Sequence, residues 1–364
     1  MKRILHIIGA MNRAGAETMV MNLYRALDKT QYQFDFVYFT QNKCDFDDEI
    51  LEMGGKIYRL PLSNFAGRTW AMFRFLQANK HFHAIHSHML LNIGFDFTAA
   101  YFSGYRNLIA HAHSTANTTN SSVLQTGYRV LGKFLINRFS KKHIACGKEA
   151  GDYLFYKHKK VIVLHNAIDF EVFIKKDTSV LFRKNSSCNE NTMLLCQIGR
   201  LLTVKNHIFS LKLAHYMKQQ KVDFQLLFVG TGVLEVEMKK LAKELDVLDV
   251  AHFLGLRTDI PDILIQSDVM LMPSLHEGFP VVLVESQVAG TPALISDSIA
   301  REVDLGVDLV FFESLSADYS VWTSHLLKIK SKKKFLDKTH LTVLKQKGFD
   351  SHDNVLRLIE IYNQ

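Results

Sequence analysis

The feature that most constrains the fold of this chain is a regular alternation of short apolar runs with amphipathic segments. A short apolar run bounded by turn residues is typical of a buried strand, whereas an amphipathic run with a 3.6-residue period is typical of a helix. Strands that alternate with helices predict parallel, doubly wound α/β sheets. The predicted strands are 3–8, 34–39, 56–60, 84–88, 108–111, 143–146, 161–164, 193–198, 224–229, 250–253, 269–272 and 293–295, and the predicted helices include 17–27, 68–79, 128–139, 206–219, 234–245 and 281–288.

The predicted elements form two groups, which indicates two domains. A chain of 364 residues is long for one core and comfortable for two. We predict a Rossmann-like N-terminal domain over 1–169, a polar linker over 170–191 and a Rossmann-like C-terminal domain over 192–349. Residues 350–364 predict a last helix capped by Ser351. Domains of this kind that face each other across a cleft are expected to bind a ligand between them.

Two glutamates, Glu277 and Glu285, lie in the segment HEGFPVVLVESQVAGTP, between a strand-like and a helix-like run. Gly278 allows a close approach of the loop backbone to a ligand, and Pro280 suits a helix start. The free N–H groups of a helix start favour an anion. Carboxylates that can accept hydrogen bonds from sugar hydroxyls, next to helix-start N–H groups that can bind a phosphate, predict a nucleotide-sugar site.

Two cations follow the first strand of the C-terminal domain. Arg200 and Lys205 lie in the segment GRLLTVKN, which begins at Gly199. A guanidinium and an ammonium at the carboxyl edge of a parallel sheet are suited to a pyrophosphate whose charge grows as it departs. We predict phosphate contact for both side chains; two solvated loop cations are the alternative.

The first strand leads into a glycine loop, GAMNRAGAE, over residues 9–17. The loop is not GxGxxG, and the second strand ends in Phe39-Thr40-Gln41, without the acid that holds an NAD ribose. Dinucleotide binding is therefore not expected. A plain turn and a backbone approach to a phosphate or sugar remain open for this loop.

Paired histidines end two predicted strands, His86 with His88 and His111 with His113. Strand alternation places both members of a pair on one face. The spacing matches no familiar zinc site, so we expect no metal, and His113 is the preferred ligand-facing residue because it lies furthest beyond its strand. The DxD segment 45–47 is read as a helix start with acidic residues in its first turn.

Positive charge is concentrated in the first half of the chain. Residues 1–170 carry 21 Lys and Arg against 12 Asp and Glu, a net of +9, whereas the remainder carries 23 against 24, a net of −1. The basic half could face nucleic acid, an anionic membrane or a phosphate-bearing substrate. The segment 128–142 fits a membrane-surface helix and an ordinary core helix equally well.

The chain has four cysteines without metal-like spacing and no run of eighteen apolar residues, and both features favour a cytoplasmic protein.

Taken together, these motifs resemble the retaining GT-B glycosyltransferases of family 4, of the bacterial exopolysaccharide and capsule type. The motifs that carry the resemblance, in chain order, are Gly15-Ala16-Glu17, 144–150, 165–169, Gly199-Arg200 with Lys205-Asn206, 229–232, 253–255 and the E-x7-E pair Glu277 and Glu285. The E-x7-E pair is the most specific of them. Ala16 departs from the second glycine common in the family.

The resemblance implies roles for the matching residues. Arg200 and Lys205 would hold the donor diphosphate, Glu277 the donor sugar and Glu285 the ribose hydroxyls, with His113 near the reactive face of the sugar. The implied donor-binding residues are Gly15, Gly199, Gly255, Leu256, Arg257, Gly278, Phe279, Pro280 and Glu285. The family uses no metal, its N-terminal domain binds the acceptor and often touches the membrane, and its last helix packs back on that domain.

The expected activity is transfer of a hexose or N-acetylhexosamine, with retention, from a nucleotide diphosphate sugar, most readily a UDP-sugar. The expected acceptor is a polyprenyl-diphosphate-linked or other glycan in surface polysaccharide synthesis. We expect no cofactor, no nucleic acid partner and a cytoplasmic location with peripheral contact to the anionic membrane. Two alternatives remain open: a sugar-nucleotide epimerase or hydrolase on the same fold, and a catalytically silent subunit.

Overall fold

The computed structural model describes residues 1–61, 65–114, 122–174, 191–333 and 338–364. The chain divides into two compact units. Unit 1 comprises residues 1–168 and 348–364, and unit 2 comprises residues 169–347. Of the predicted linker, 170–191, residues 170–174 and 191 belong to unit 2, and residues 175–190 lie outside the described residues.

Unit 1 contains a seven-stranded sheet in the order β3-β2-β1-β4-β5-β6-β7, and all its strand pairs are parallel. Its strands are β1 (Lys2–Ile7), β2 (Tyr32–Tyr38), β3 (Ile57–Arg59), β4 (Phe82–Ser87), β5 (Leu108–Ala112), β6 (Lys142–Ala145) and β7 (Val161–Val163). Its helices are α1 (Gly15–Ala26), α2 (Asp47–Glu52), α3 (Phe65–Ala78), α4 (Ile93–Phe102), α5 (Val123–Phe139), α6 (Lys148–Leu154) and the last helix of the chain, Ser351–Asn363.

Unit 2 contains a six-stranded parallel sheet in the order β10-β9-β8-β11-β12-β13. Its strands are β8 (Met193–Ile198), β9 (Phe224–Val229), β10 (Ala251–Phe253), β11 (Val269–Met272), β12 (Ala293–Ser296) and β13 (Val310–Glu313). Its helices are α7 (Glu171–Ile174), α8 (His207–Gln219), α9 (Glu235–Glu244), α10 (Ile260–Gln266), α11 (Val281–Val288), α12 (Tyr319–Ile329) and α13 (Lys338–Gln346); the last helix of the chain is accordingly α14.

The strand order explains why strands inside the two sheets are buried along their whole length. A strand with neighbours on both edges and helices on both faces has no solvent side, so it reads as a continuous apolar run rather than an alternation. β2 and β11 are buried at every position. The predicted strands 193–198, 224–229 and 269–272 are confirmed at both ends. β13 is absent from the prediction, and its residues after Val310 are only partly buried.

The last helix belongs to unit 1. Val355, Leu358 and Tyr362 of α14 are buried in the same core as Val20 and Leu23 of α1. The helix begins at Ser351, as predicted, but the predicted cap is wrong. The cap is Asp350, whose carboxylate accepts from the backbone N–H groups of His352 and Asp353.

Candidate functional site

The predicted cations and carboxylates of unit 2 lie where its strand order reverses. β8 and β11 are neighbours in the sheet, and the chain leaves them in opposite directions, to β9 and to β12. At such a switch point the loops beyond the carboxyl ends of the strands diverge and leave a crevice for a ligand. The two loops are residues 199–206 and 273–280.

Hydrogen bonds join these two loops. The backbone N–H of Leu275 donates to the carbonyl of Val204 at 2.8 Å, and the Asn206 amide donates to the carbonyl of Pro273 at 3.0 Å. Asn206 adopts a left-handed conformation with φ 53°, which asparagine tolerates better than most residues. The two loops therefore form one connected wall. Asn206 was noted in the sequence only as part of a motif, and its role in joining the loops was not predicted.

Lys205 and Glu277 meet at this wall. The ammonium Nζ of Lys205 lies 2.6 Å from Oε1 of Glu277, and both side chains are largely buried. The contact is an ion pair without hydrogen-bond alignment, and Oε1 accepts no aligned hydrogen bond from the described part of the chain. The resemblance assigns these side chains to different parts of a ligand; in the structure they form an ion pair with each other.

Arg200 differs from Lys205 in its environment. Its side chain is exposed, and within the described ranges it makes no ion pair or side-chain hydrogen bond. The adjoining loop is held by its backbone, because Leu201 N–H donates to the carbonyl of Thr231 at 3.0 Å. The guanidinium is thus a cation on an ordered loop and is available to an anion.

Glu285 lies in the second turn of α11 and is only partly buried. No ion pair or side-chain hydrogen bond reaches its carboxylate from the residues that the structure describes. Loss of hydration raises its pKa to about 7. A carboxylate of this kind gains from hydrogen-bond donors such as ribose hydroxyls, which replace the missing water.

The helix start predicted near Pro280 is present, with Pro280 as the capping residue and Val281 as the first residue of α11. Gly278 is exposed, and a Cβ at this position would meet no atom within 4 Å. Phe279 is partly buried against the core of unit 2. The N–H groups that open α11 therefore follow a loop with free space around its glycine.

Three of the implied donor-binding residues, Gly255, Leu256 and Arg257, lie after β10. Gly255 has φ +64°, and its carbonyl accepts from the Gly230 N–H at 2.8 Å. Leu256 is 56% exposed, an apolar side chain open to a planar ligand. Arg257 is engaged with its own neighbour, since its Nη2 lies 2.6 Å from Oδ2 of Asp259.

Glycines of the β9 loop have a role that the sequence did not reveal. A Cβ on Gly230 would lie 2.2 Å from the carbonyl oxygen of Gly199, and a Cβ on Gly232 would lie 2.4 Å from that of Leu201. Gly230 also has φ +135°. These glycines let the β9 loop pack against the backbone of the cation loop and so fix the position of Arg200 and Lys205.

The glycine loop of unit 1 is open by comparison. Gly15 is the first residue of α1, and a Cβ at Gly15 would meet nothing within 4 Å. Ala14 caps the helix without a side-chain hydrogen bond. The structure therefore leaves room for a ligand at Gly15, and the predicted role of this residue remains a prediction.

His113 belongs to a cluster of five imidazoles in unit 1. Its partners are His6 of β1, His86 and His88 at the end of β4, and His111 of β5. His6 is paired in register with His86 in the parallel sheet. Sequence reasoning found four of these residues and missed His6, because the register of a parallel pair is not written in a sequence.

Burial keeps the imidazoles neutral. It lowers the pKa of His6 to about 3 and that of His113 to about 4, and it lowers the pKa values of His86, His88 and His111 well below the usual range.

The DxD segment, residues 45–47, lies at the start of α2, as predicted. There Asp47 is buried and forms an ion pair with Arg59.

Two parallel doubly wound units, with the last helix returned to the first, define a GT-B glycosyltransferase fold. Residues 13–172 match the family described as Glycosyltransferase Family 4, and residues 181–304 match Glycosyl transferases group 1. The chain belongs to glycosyltransferase family 4.

The similarity to individual proteins extends over the whole chain. The protein named as glycosyltransferase EpsF of Bacillus subtilis (strain 168) is 36% identical over 100% of this chain and 96% of its own. The capsular polysaccharide biosynthesis glycosyltransferase CapH of Staphylococcus aureus is 24% identical over 100% and 99%. The crystal structure of Anabaena HepE in complex with UDP superimposes with a TM-score of 0.78 at 16% identity, covering 99% of each chain.

Among the described residues, none of the helices combines the length and the apolar character that a membrane crossing requires.

Proposed function

We propose that this chain transfers a hexose or N-acetylhexosamine from a UDP-sugar to a hydroxyl of a lipid-linked glycan, with retention, during surface polysaccharide synthesis. The observation that carries the proposal is the Lys205–Glu277 ion pair at the switch point of unit 2, beside the start of α11. The ammonium of Lys205, now paired with Glu277, can bind the diphosphate of a donor instead. The carboxylate of Glu277 is then free to accept hydrogen bonds from the sugar.

The charges of the wall match the parts of such a donor. Lys205, exposed Arg200 and the N–H groups opening α11 would neutralise the diphosphate, and this is the largest electrostatic demand of the reaction. Glu277 would accept hydroxyls of the sugar. Glu285 would accept the ribose hydroxyls, since its carboxylate lacks hydration and described partners.

Two similarities support the donor and the pathway. The HepE structure, which shares the fold, contains UDP, and CapH is named for capsular polysaccharide biosynthesis. For retention we propose front-face attack, in which the departing phosphate receives the proton of the acceptor. This route requires no carboxylate nucleophile, and none is assigned. No metal is required in this scheme, because the cations of the protein take the charge of the leaving group.

A screen of the purified full chain against UDP- and GDP-sugars tests the proposal. Nucleotide release is measured with and without a polyprenyl-diphosphate glycan, and in the presence of EDTA. Release that depends on the glycan, survives EDTA and yields an α-linked product from an α-linked donor is the expected result. Isomerised sugar without acceptor would indicate an epimerase, and binding without turnover on any acceptor would indicate a silent subunit.

The proposal of a lipid-linked acceptor is based on the exposed apolar surface of α5. Val123, Leu124, Val130, Leu131 and Phe134 are all exposed, at 48% to 89% of their surface. A helix with this much apolar surface in water, next to basic side chains, fits the boundary between lipid headgroups and acyl chains.

Neighbouring helices extend this surface. On the other side of α5, Gly94 of α4 allows a close approach of the two helices: a Cβ on Gly94 would lie 2.6 Å from the carbonyl oxygen of Gly132. Phe102 at the end of α4 is 66% exposed and contacts Phe139, and Trp70 of α3 is 61% exposed. Arg129, Lys133 and Arg138 of α5 supply positive charge for an anionic headgroup.

Vesicle sedimentation tests the membrane contact. The double variant Val130→Ser/Phe134→Ser is expected to lose most binding to vesicles containing anionic lipid and to keep its fold, because both side chains are exposed. The matched control is Val233→Ser/Val236→Ser, which removes two valines of unit 2 that are 84% and 82% exposed. Equal binding of both double variants would contradict the assignment of this surface.

A further inference from the structure

A long stretch of the chain around α5 contains no acidic residue. Residues 97–148 are 52 consecutive positions without Asp or Glu, although about one residue in ten of the whole chain is acidic. The same stretch carries seven Lys and Arg. Three of these cations bond to oxygens of the protein itself, namely Arg106, Lys141 and Lys142. Among the others, Arg129 and Lys133 lie four positions apart on α5.

Arg129 and Lys133 are two like charges held next to each other. Residues four apart on a helix are neighbours, with Cβ atoms about 5–6 Å apart. Both side chains are partly buried, and the ammonium of Lys133 lies 4.3 Å from the centre of the Tyr153 ring of α6. Burial lowers the pKa of Lys133, and the positive charge of Arg129 lowers it further. Within the described ranges, neither side chain forms an ion pair.

The absence of a counter-charge distinguishes this pair from an ordinary basic helix surface. Like charges at this spacing destabilise a helix, and water and salt screen the repulsion only where the charges are exposed. The lysines of α9 show the usual arrangement, since Lys239 and Lys240 each pair with a glutamate four positions away. An anion bound between Arg129 and Lys133 would therefore remove a repulsion that the described part of the protein leaves in place.

The surface beside the two cations is apolar. Val130 and Phe134 each follow one of the cations directly in the sequence, and they are 63% and 53% exposed. An apolar strip therefore runs along α5 next to the cation pair. A free anion gains nothing from this strip, whereas an anion joined to a hydrocarbon chain can use both surfaces at once.

The two charges fit a diphosphate better than a single phosphate. The phosphodiester headgroup of a bulk lipid carries one negative charge, which neutralises only one of the cations. A diphosphate carries negative charge on two adjacent phosphoryl groups, so it can accept hydrogen bonds from the guanidinium of Arg129 and from the ammonium of Lys133 together.

We propose that Arg129 and Lys133 bind the diphosphate of the lipid-linked acceptor, with Val130 and Phe134 against its hydrocarbon chain. The inference rests on the proposed function and makes it more specific, because α5 then recognises one kind of lipid in addition to contacting an anionic membrane. The diphosphate of the donor is a different ligand, which the proposed function assigns to unit 2.

Vesicles of equal surface charge but different lipid test this inference. One kind contains phosphatidylcholine with a polyprenyl-diphosphate glycan, and the other contains phosphatidylcholine with phosphatidylglycerol. The site variant is Arg129→Gln/Lys133→Gln. The matched control is Lys157→Gln/Lys160→Gln, which removes the same charge from two exposed lysines between α6 and β7.

The unchanged full chain should sediment with the diphosphate vesicles at least about tenfold more tightly than with the phosphatidylglycerol vesicles, since two charge-assisted contacts are specific to the diphosphate. The site variant should lose this preference, and the control should keep it. If the double site variant does not fold, Arg129→Gln alone serves in its place, because it leaves the contact between Lys133 and Tyr153 intact.

Enzyme kinetics provide a second readout. With the donor identified by the screen, the KM for the lipid-linked glycan should rise at least about tenfold in Arg129→Gln/Lys133→Gln. Nucleotide release without acceptor should stay unchanged, since the pair contacts only the acceptor. The control variant should match the unchanged chain in both measurements.

Four results would overturn the inference: equal binding of the unchanged chain to both vesicles, a preference that survives in the site variant, an equal loss in the control, or binding of inorganic pyrophosphate as tight as that of the lipid-linked form. The vesicle assay contains no donor, so it is independent of catalysis. A diphosphate preference that only the site variant loses, in a chain that transfers no sugar, would contradict the proposed function and leave the site standing. Transfer with an unchanged KM in the site variant would do the reverse.

Discussion

The six strands of unit 2 follow the same order as the first six strands of unit 1, yet the two units fill the same position of their sheets with opposite chemistry. Where β8 meets β11 in unit 2, the loops bring together the charged pair Lys205 and Glu277. Where β1 meets β4 in unit 1, neutral His6 is in register with neutral His86. The strand order determines where side chains converge, and the residues themselves determine whether the place holds charge.

This difference indicates how each unit responds to a ligand. Lys205 of unit 2 can leave Glu277 for an anionic ligand at little cost in free energy, because a new ion pair with the ligand replaces the Lys205–Glu277 ion pair. The imidazoles of unit 1 resist charging, because burial lowers their pKa values. Four experiments, ordered by expected effect, test the contrast.

Removing the cation of unit 2 should have the largest effect. Lys205→Ala should lower single-turnover nucleotide release by about a thousandfold, because the diphosphate loses a preorganised positive charge. Glu277→Ala should have an equal effect, because the hydroxyls of the donor sugar lose the carboxylate that accepts their hydrogen bonds. Lys212→Ala, an exposed lysine on α8, is the control and should be neutral. Turnover within tenfold of the unchanged chain in both site variants would mean that the site lies elsewhere.

Acid should destabilise unit 1 more than unit 2. The folded pKa values of His6 and His113, about 3 and 4, lie below the unfolded value near 6.5, so the unfolded unit binds more protons in between. Their contribution to stability is complete above pH 6.5 and is lost as pH falls towards 4, by about 2–3 kcal/mol each at pH 4.5. In unit 2, His207 acts in the same sense, whereas Glu285 opposes it.

Hydrogen exchange measured by mass spectrometry between pH 7 and 4.5, corrected for the intrinsic rate, resolves the two units. Peptides from β1 and β4 should lose protection at a higher pH than peptides from β8 and β11. The reverse order would show that the imidazole cluster is not the acid-sensitive part of the molecule.

Glu285→Gln should stabilise the protein at high pH. The folded pKa of about 7 lies above the unfolded value near 4.5, so the folded state gains from the neutral carboxyl, and this gain is lost as pH rises through 7. The substitution should raise the free energy of unfolding by about 3 kcal/mol at pH 8 and by less than about 0.5 kcal/mol at pH 4.5. Urea denaturation at both pH values measures this.

The same variant should bind UDP more weakly, since an amide accepts ribose hydroxyls less strongly than a carboxylate. Glu237→Gln, an exposed position on α9, should change neither stability nor affinity. A destabilised Glu285→Gln at pH 8 would be inconsistent with a raised pKa.

The smallest effect is expected at the open glycine loop of unit 1. Gly15→Ala in unit 1 should change the free energy of unfolding by less than about 0.5 kcal/mol, because space is open around Gly15 and alanine suits a helix start. Gly230→Ala in unit 2 is the contrast and should cost about 2–4 kcal/mol, since its Cβ would overlap the Gly199 carbonyl. Thermal denaturation of both variants measures the difference, and similar costs would remove the distinction between an open and a packed loop.

The sequence predicted most of the fold because its periodic signals are local. An apolar run such as 193–198 is bounded by turn residues on both sides, so its ends could be located. β13 was missed because its apolar run, 309–312, is only four residues long, and a run of this length does not by itself separate a strand from a buried helix segment. The cap at Asp350 was displaced by one residue, since Asp350 and Ser351 are both good capping residues and only the hydrogen bonds separate them.

The candidate site was predictable only to the level of loops. Arg200, Lys205 and Glu277 were placed together because parallel strands end at one edge of a sheet. Pairing between particular atoms depends on the register of neighbouring strands and on loop conformation, which local patterns do not encode. The Lys205–Glu277 ion pair, the left-handed Asn206 and the contribution of His6 therefore emerged only with coordinates.

The return of α14 to unit 1 has a consequence for biogenesis. Residues 1–168 emerge from the ribosome first, but the core they share with Leu358 and Tyr362 is complete only after all of unit 2 has been translated. A nascent chain should therefore expose the α1 surface throughout that interval and should depend on chaperones for it. A stop codon that removes the last helix should send the protein to proteolysis rather than yield a partly active enzyme.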